Sequence, residues 1–269
     1  MSPRRRRLTT CKESKLTSDY VESLFDGFAD TFEGVLVEQL EYCAPQKVAE
    51  AAINATSHRG KYASALDAGC GTGLAGPYLR PLVAGALIGV DISTKMLELA
   101  ANLRADGAAA APPAGLERAA VGAAGGAAPV ALYDRLLAKD LLALRRDDVG
   151  GLDAEGAHAI GTGPLELVVA ADVLVYFGAL DELLRTFAGL SAAGASLIFS
   201  CERVAAGADA PASGWRLMPS GRFAHTKAYV VAAAAASGYA LRAYDEIVPR
   251  REGGVDVQGH VFVFELAIG

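Results

Sequence analysis

Seven residues constrain this chain more than any others: Asp67-Ala68-Gly69-Cys70-Gly71-Thr72-Gly73, directly after a short apolar run. Between a strand and a helix, such glycines let the backbone approach a ligand closely, and the helix N-terminus offers N–H groups to an anion. Asp91 closes the next apolar run, 20 positions after Gly71, where a carboxylate can accept from both ribose hydroxyls of an adenosine. The same stretch, Gly71 to Gly76, satisfies G-x-G-x-x-G, so a nicotinamide dinucleotide fits the spacing as well.

The flanking pattern alternates strands and helices. Residues 62–67 read as a buried strand, 74–82 as a helix and 86–91 as the second strand, and Ser93 caps a helix over 95–104. This is the start of a parallel doubly wound sheet. Strands follow at 136–139, 165–171 and 195–200, with helices at 180–190 and 226–237. Strands at 239–247 and 260–268, joined by a charged turn at Gly253-Gly254 without a helix, should pair antiparallel. Upstream, Thr17 or Ser18 can cap a helix whose apolar face is Val21, Leu24, Phe25, Phe28 and Phe32; residues 35–40 and 45–54 also read as helical.

Two stretches stand apart. Residues 1–16 form a polar tail with four arginines at Arg4 to Arg7, read as a disordered end; its basic, acid-poor start also fits a short organelle transit segment. Residues 105–130 are almost entirely Ala, Gly and Pro, which predicts a flexible insertion with few large side chains to offset its ordering entropy. The remainder, 17–269, reads as one domain.

Asp67 precedes the glycines, where a carboxylate suits an amino-bearing or cationic ligand and opposes a pyrophosphate. Asp140 ends the third strand, placed to accept from an adenine amine, and the sheet ends in a hairpin instead of a second mononucleotide-binding half. With these residues, the stretch Leu66 to Gly73 resembles motif I of class I S-adenosylmethionine-dependent methyltransferases. Gly89-Val90-Asp91-Ile92-Ser93 with Met96-Leu97 resembles their second motif, Ala138-Lys139-Asp140-Leu141 their adenine-binding segment, and 170–176 their fourth-strand motif. More narrowly, residues 24–33 and 217–226 resemble a subgroup of predicted methyltransferases sometimes labelled TPR-repeat-containing, although no 34-residue repeat is present.

The resemblance implies a Rossmann-like α/β fold, a mostly parallel seven-stranded sheet with a C-terminal antiparallel hairpin. It implies S-adenosyl-L-methionine as cofactor, bound by Asp67, Gly69, Gly71, Gly73, Asp91, Ile92, Met96, Asp140, Leu141 and Ala170, with Phe28 and Phe32 folded over it. Asp172 and Tyr176 follow the fourth strand, where the reactive methyl should point, and His225 is the general-base candidate. Arg222, able to hold an anionic group, and Trp215 are the candidates for the methyl acceptor. The expected reaction is in-line methyl transfer to a small molecule. A nicotinamide-dependent oxidoreductase and a cofactor-binding protein without catalysis are the alternatives.

Composition narrows the partners. A net charge of −6 disfavours nucleic acid. The chain is 52% hydrophobic, yet has no apolar run of roughly 18 residues, so no membrane span is expected. The cysteines (Cys11, Cys43, Cys70, Cys201) and histidines (His58, His158, His225, His260) are scattered, which predicts neither a metal site nor disulfides and suits a cytoplasmic protein.

Overall fold

The computed structural model describes residues 14–29, 40–56, 60–103, 131–152, 159–160, 163–204, 207 and 210–268. The expected insertion at 105–130, most of the tail, Phe32 and the helix expected from residue 35 lie outside these, apart from Leu40.

Seven strands form the main path of the sheet: β1 (Tyr62–Ala68), β2 (Val83–Asp91), β3 (Arg135–Ala138), β4 (Leu165–Ala170), β5 (Ser191–Arg203), β6 (Tyr239–Ile247) and β7 (Gly259–Leu266). Their order is β6-β7-β5-β4-β1-β2-β3. β1 pairs parallel with both β2 and β4, so the chain winds one way into β2 and β3 and the other way into β4 and β5. The carboxyl end of β1 is therefore the switch point at which open α/β sheets bind ligands. The expected hairpin is present: β7 lies antiparallel between β5 and β6. Two short strands, Trp215–Leu217 and Phe223–His225, extend the far end of β5, where the sequence reading placed no strand.

The helices are α1 (Ser18–Phe28), α2 (Ala44–Thr56), α3 (Thr94–Ala101), α4 (Asp181–Leu190) and α5 (Lys227–Ala236). They cover both faces of the sheet. On one face Leu66, Val168, Leu197 and Phe262 pack with Leu183, Phe187 and Val230 of α4 and α5. On the other, Ala65, Leu87, Val169 and Ile198 pack with Val48, Ala52 and Leu97 of α2 and α3. Burial on both faces is why the central strands read as nearly continuous apolar runs.

The helix expected over 74–82 is broken into a four-residue turn, Gly76–Leu79, and a 3₁₀ turn, Arg80–Leu82. Pro77 and Pro81 each lack the N–H that a longer ladder needs. Ser93 caps α3 as expected, accepting from the Met96 amide at 3.2 Å. Thr17 stands at the N-cap of α1 without a side-chain hydrogen bond, and the Ser18 hydroxyl donates elsewhere, to Asp140.

Candidate active site

A cavity of about 360 Å³ opens at the carboxyl ends of β1, β2 and β4, beneath α1. It is lined by Asp67, Gly69, Gly71, Asp91, Ile92, Asp140 and Leu141 on one side, and by Asp172, Tyr176, Arg222 and Tyr42 on the other. Phe28, half exposed, lines its lid.

The glycine loop is held rigidly from within. Gly69 takes φ +71° and abuts Val173 so closely that a Cβ would lie 2.4 Å from Val173 Cγ2. The Gly69 and Cys70 amides donate to Val90 O at 2.7 and 3.0 Å, the Gly71 amide donates to Asp91 Oδ2 at 2.8 Å, and the Gly73 amide donates to Cys70 O at 2.8 Å. Four amides of the loop, those of Gly69, Cys70, Gly71 and Gly73, are thus occupied. Asp91 Oδ1 accepts from Ser93 N at 2.9 Å, so this carboxylate ties the loop to the start of α3. Each of its oxygens retains a second lone pair for a ligand hydroxyl.

Asp67 is almost fully buried and accepts from Tyr133 Oη at 2.6 Å. Burial pushes its pKa up to about 7, against the pull of that hydrogen bond. A cationic amine beside it would restore full ionisation. Asp140 accepts from Ser18 Oγ at 2.6 Å through Oδ2 and from the Leu142 amide at 2.9 Å through Oδ1. At its other end α1 is tied by Asp26, whose carboxylate accepts from Ser93 Oγ at 2.6 Å. α1 therefore bridges the ends of β2 and β3, directly over the cavity.

The opposite wall is built on a buried ionic cluster that sequence reasoning missed. Arg250, with a side chain 0% exposed, donates Nη1 to both Asp172 oxygens at 3.1 and 3.0 Å and Nε to Glu252 at 2.7 Å, and pairs with Glu202 through Nη2. Arg222 completes the chain, donating to Glu252 at 2.5 Å. Burial pushes the Glu202 carboxyl up while Arg250 draws it back; Glu252 is held low, as Arg250 and Arg222 outweigh its desolvation. Asp172 takes φ +59°, a left-handed conformation that a non-glycine residue holds only when its surroundings enforce it. The Ser200 hydroxyl, accepting from the Asp172 amide at 2.8 Å, and the fork of Arg250 supply that enforcement.

Tyr42 and Tyr176 stand beside Asp172. Burial, then the Asp172 charge, drives the Tyr176 hydroxyl up to about 12 and the Tyr42 hydroxyl well above the phenol range. Both are protonated hydroxyls at neutral pH. Tyr42 comes from a segment docked onto the arginine loop: Cys43 N donates to Pro249 O at 2.9 Å and Arg251 N to Leu40 O at 2.7 Å. Phe25 of α1 meets the Tyr176 ring edge-on at 5.5 Å.

Five expected residues do not line this cavity. His225 is fully buried in its short strand, its Nε2 3.1 Å from Gly178 O, and desolvation lowers its pKa to about 4. It is placed to join Gly178 to the sheet. Trp215 packs edge-on against Phe223 at 5.4 Å and over Gly178. Gly73 faces Leu103 and Tyr133, and Met96 and Ala170 are fully buried. Arg222 does line the cavity, but its guanidinium is already engaged by Glu252.

Among the described residues no helix is long and apolar enough to cross a membrane, and no cluster of His, Cys, Asp and Glu could hold a metal ion. No curated protein matches this chain in sequence. Residues 66–116 match a family model described as a methyltransferase domain. Three solved structures share the fold. The [4+2]-cyclase SpnF has a TM-score of 0.65 at 14% identity, covering 95% of this chain and 98% of its own. Magnesium protoporphyrin IX methyltransferase from Synechocystis PCC 6803, with bound S-adenosylhomocysteine, has a TM-score of 0.59 at 17% identity, covering 93% and 99%. The 1,6-didemethyltoxoflavin-N1-methyltransferase from Burkholderia thailandensis, with S-adenosylhomocysteine and 1,6-didemethyltoxoflavin bound, has a TM-score of 0.59 at 13% identity, covering 95% and 93%. The narrower, TPR-linked resemblance has no counterpart among these matches. The chain has the class I methyltransferase fold, and the stretch that matches the methyltransferase model is the one that builds the glycine loop and Asp91.

Proposed function

We propose that this chain is an S-adenosylmethionine-dependent methyltransferase acting on a small molecule. The observation that carries the reading is one cavity where three strand-end acids, Asp67, Asp91 and Asp140, converge on the glycine loop. A carboxylate such as Asp67 at that place opposes a dinucleotide pyrophosphate and suits the amino group of an aminoacyl sulfonium nucleoside. The buried Thr72 hydroxyl, without a hydrogen-bond partner, adds an unsatisfied group on the cofactor side. The cavity volume is also within the roughly 300–1,000 Å³ typical of small-ligand sites.

In this reading Asp67 holds the cofactor's amino group, Asp91 its ribose, and Asp140 its adenine amine, with Ile92 and Leu141 packing on the base. Bound S-adenosylmethionine supplies an electrophilic methyl group on a positively charged sulfur. α1, tied down through Ser18 and Asp26, excludes water from the cleft. Tyr42, Asp172 and Tyr176 orient the acceptor for in-line attack, and the Arg250 cluster fixes Asp172.

The fold by itself does not choose the reaction, since a [4+2]-cyclase shares it. The test is label transfer from methyl-labelled S-adenosylmethionine into a metabolite extract, with Asp91→Ala as control. Label moved by the wild type alone supports the proposal. Equal transfer by Asp91→Ala would refute the site assignment; cofactor binding with no transfer would leave a binding protein without methyltransferase activity.

A further inference from the structure

The charges around the cavity indicate which acceptor it serves. Four carboxylates line it, Asp67, Asp91, Asp140 and Asp172, against three cations, Lys15, Lys139 and Arg222. Two of those cations are already paired with acids behind the lining: Lys139 with Asp148 at 2.6 Å, and Arg222 with Glu252 at 2.5 Å. Behind Asp172, two guanidinium groups, Arg222 and Arg250, face three carboxylates, Asp172, Glu202 and Glu252, a net charge of −1 when all are ionised. The third cation, Lys15, is bridged through its backbone to Phe177, and the remaining residues of the acceptor end include the apolar Leu24, Phe25, Phe28 and Leu40.

We propose that the methyl acceptor is a neutral amine nitrogen carried on an apolar body, received by Tyr42, Asp172 and Tyr176. This inference rests on the cofactor assignment above. A carboxylate, thiolate or phenolate acceptor would bring a further negative charge against the Asp172 cluster, whose own groups sum to −1 when all are ionised. A neutral hydroxyl would need a base. Among the described residues His225 lies away from the cavity, and both Asp172 oxygens are engaged by Arg250. An amine brings its own lone pair. Its N–H groups can donate to the tyrosine oxygens and to the second lone pairs of Asp172, which leaves the lone pair for the methyl group.

The charge balance of the step suits this wall. The nitrogen lone pair forms the N–C bond as the C–S bond breaks, and the C–S electron pair stays on sulfur. S-adenosylmethionine becomes neutral at sulfur, and the positive charge moves onto the methylated nitrogen, toward the Asp172 cluster. A fixed negative field there stabilises the charge as it arrives. The product then releases a proton to solvent if the nitrogen still carries one.

The first test needs no acceptor. Sinefungin, the cofactor analogue with an amine in place of the sulfonium methyl, puts an ammonium at the transfer position, and S-adenosylhomocysteine puts nothing there. Calorimetry should show sinefungin binding about tenfold tighter to the wild type, with the preference reduced severalfold in Glu252→Gln. Equal affinities, or a preference that Glu252→Gln leaves unchanged, would overturn the proposal. Failure of both ligands to bind would instead overturn the cofactor assignment. The second test is the class of labelled product from the extract. Product retained on a cation exchanger in acid and stable to alkali supports the amine; an alkali-labile methyl ester, or a neutral or anionic ether or thioether, overturns it.

Discussion

Replacing Arg250 with methionine keeps much of the aliphatic stem and removes the guanidinium that three carboxylates share. Arg250 is fully enclosed, and Asp172 and Glu202 are only 12% and 7% exposed in their side chains. Their charges would be left without compensation in a poorly solvated site. Breaking a buried pair from one side costs about 3–5 kcal/mol, and that is the loss expected at pH 8. The pH dependence carries the sharper signature. In the variant Glu202, raised by burial, loses the pull of Arg250, so its folded pKa lies further above the unfolded one, and the penalty is full at high pH and relaxes as pH falls through that raised value. In the wild type Glu252 is held low, so its contribution is present above the unfolded pKa and is lost as pH falls through the folded one. The two stabilities should therefore converge toward pH 5. Urea unfolding at pH 8, 6.5 and 5, followed by fluorescence and circular dichroism, reads this directly. Adding Glu202→Gln to the variant should recover about 1 kcal/mol or more at pH 8. A loss below about 1 kcal/mol, constant with pH, would refute the view of Arg250 as the keystone of the acceptor wall.

Three further outcomes follow from the geometry. Because burial raises Asp67 to about 7, S-adenosylhomocysteine should bind more tightly as pH rises from 6 to 8, by about fivefold or more. The slope should vanish in Asp67→Asn, and a wild-type affinity flat across this range would count against Asp67 as the ligand of the amino group. His225→Asn should keep methyl transfer within about threefold while lowering stability by about 1–2 kcal/mol, since the ring is placed as a structural bond to Gly178; a thousandfold loss of rate in a folded variant would restore it as a base. Ser18→Ala combined with Asp26→Ala removes the two carboxylate hydrogen bonds that tie α1, and should speed S-adenosylhomocysteine release about tenfold in stopped-flow chase experiments; an unchanged off-rate would show that α1 does not gate the cleft.

What could be read from the chain was what is local in it. The glycine loop, Asp91 at the end of β2 and the Ser93 cap are each fixed by a few consecutive residues, and the apolar runs of β1, β2 and β4 identify themselves because both sheet faces are covered. Arg250 was not legible. It sits among charged residues before a Gly-Gly turn, and only its pairing with Asp172, 78 residues away, and Glu202, 48 away, makes it an interior residue. Tyr42 is hidden in the same way, since its position depends on backbone bonds to residues 249 and 251. His225 and Trp215 misled for the converse reason. Chemically versatile side chains drew attention where no strand was read, whereas pairing to the end of β5 makes these residues part of the sheet and turns both toward Gly178.

The central claim is that Asp67, Asp91 and Asp140 around the glycine loop select an aminoacyl nucleoside over a dinucleotide. Titration calorimetry of the purified protein with S-adenosylhomocysteine and with NADH, each repeated on Asp91→Ala, tests it most directly. One equivalent of S-adenosylhomocysteine should bind the wild type, Asp91→Ala should weaken it about a hundredfold or more, and NADH should give no saturable heat. Tight NADH binding with S-adenosylhomocysteine ignored would contradict the account.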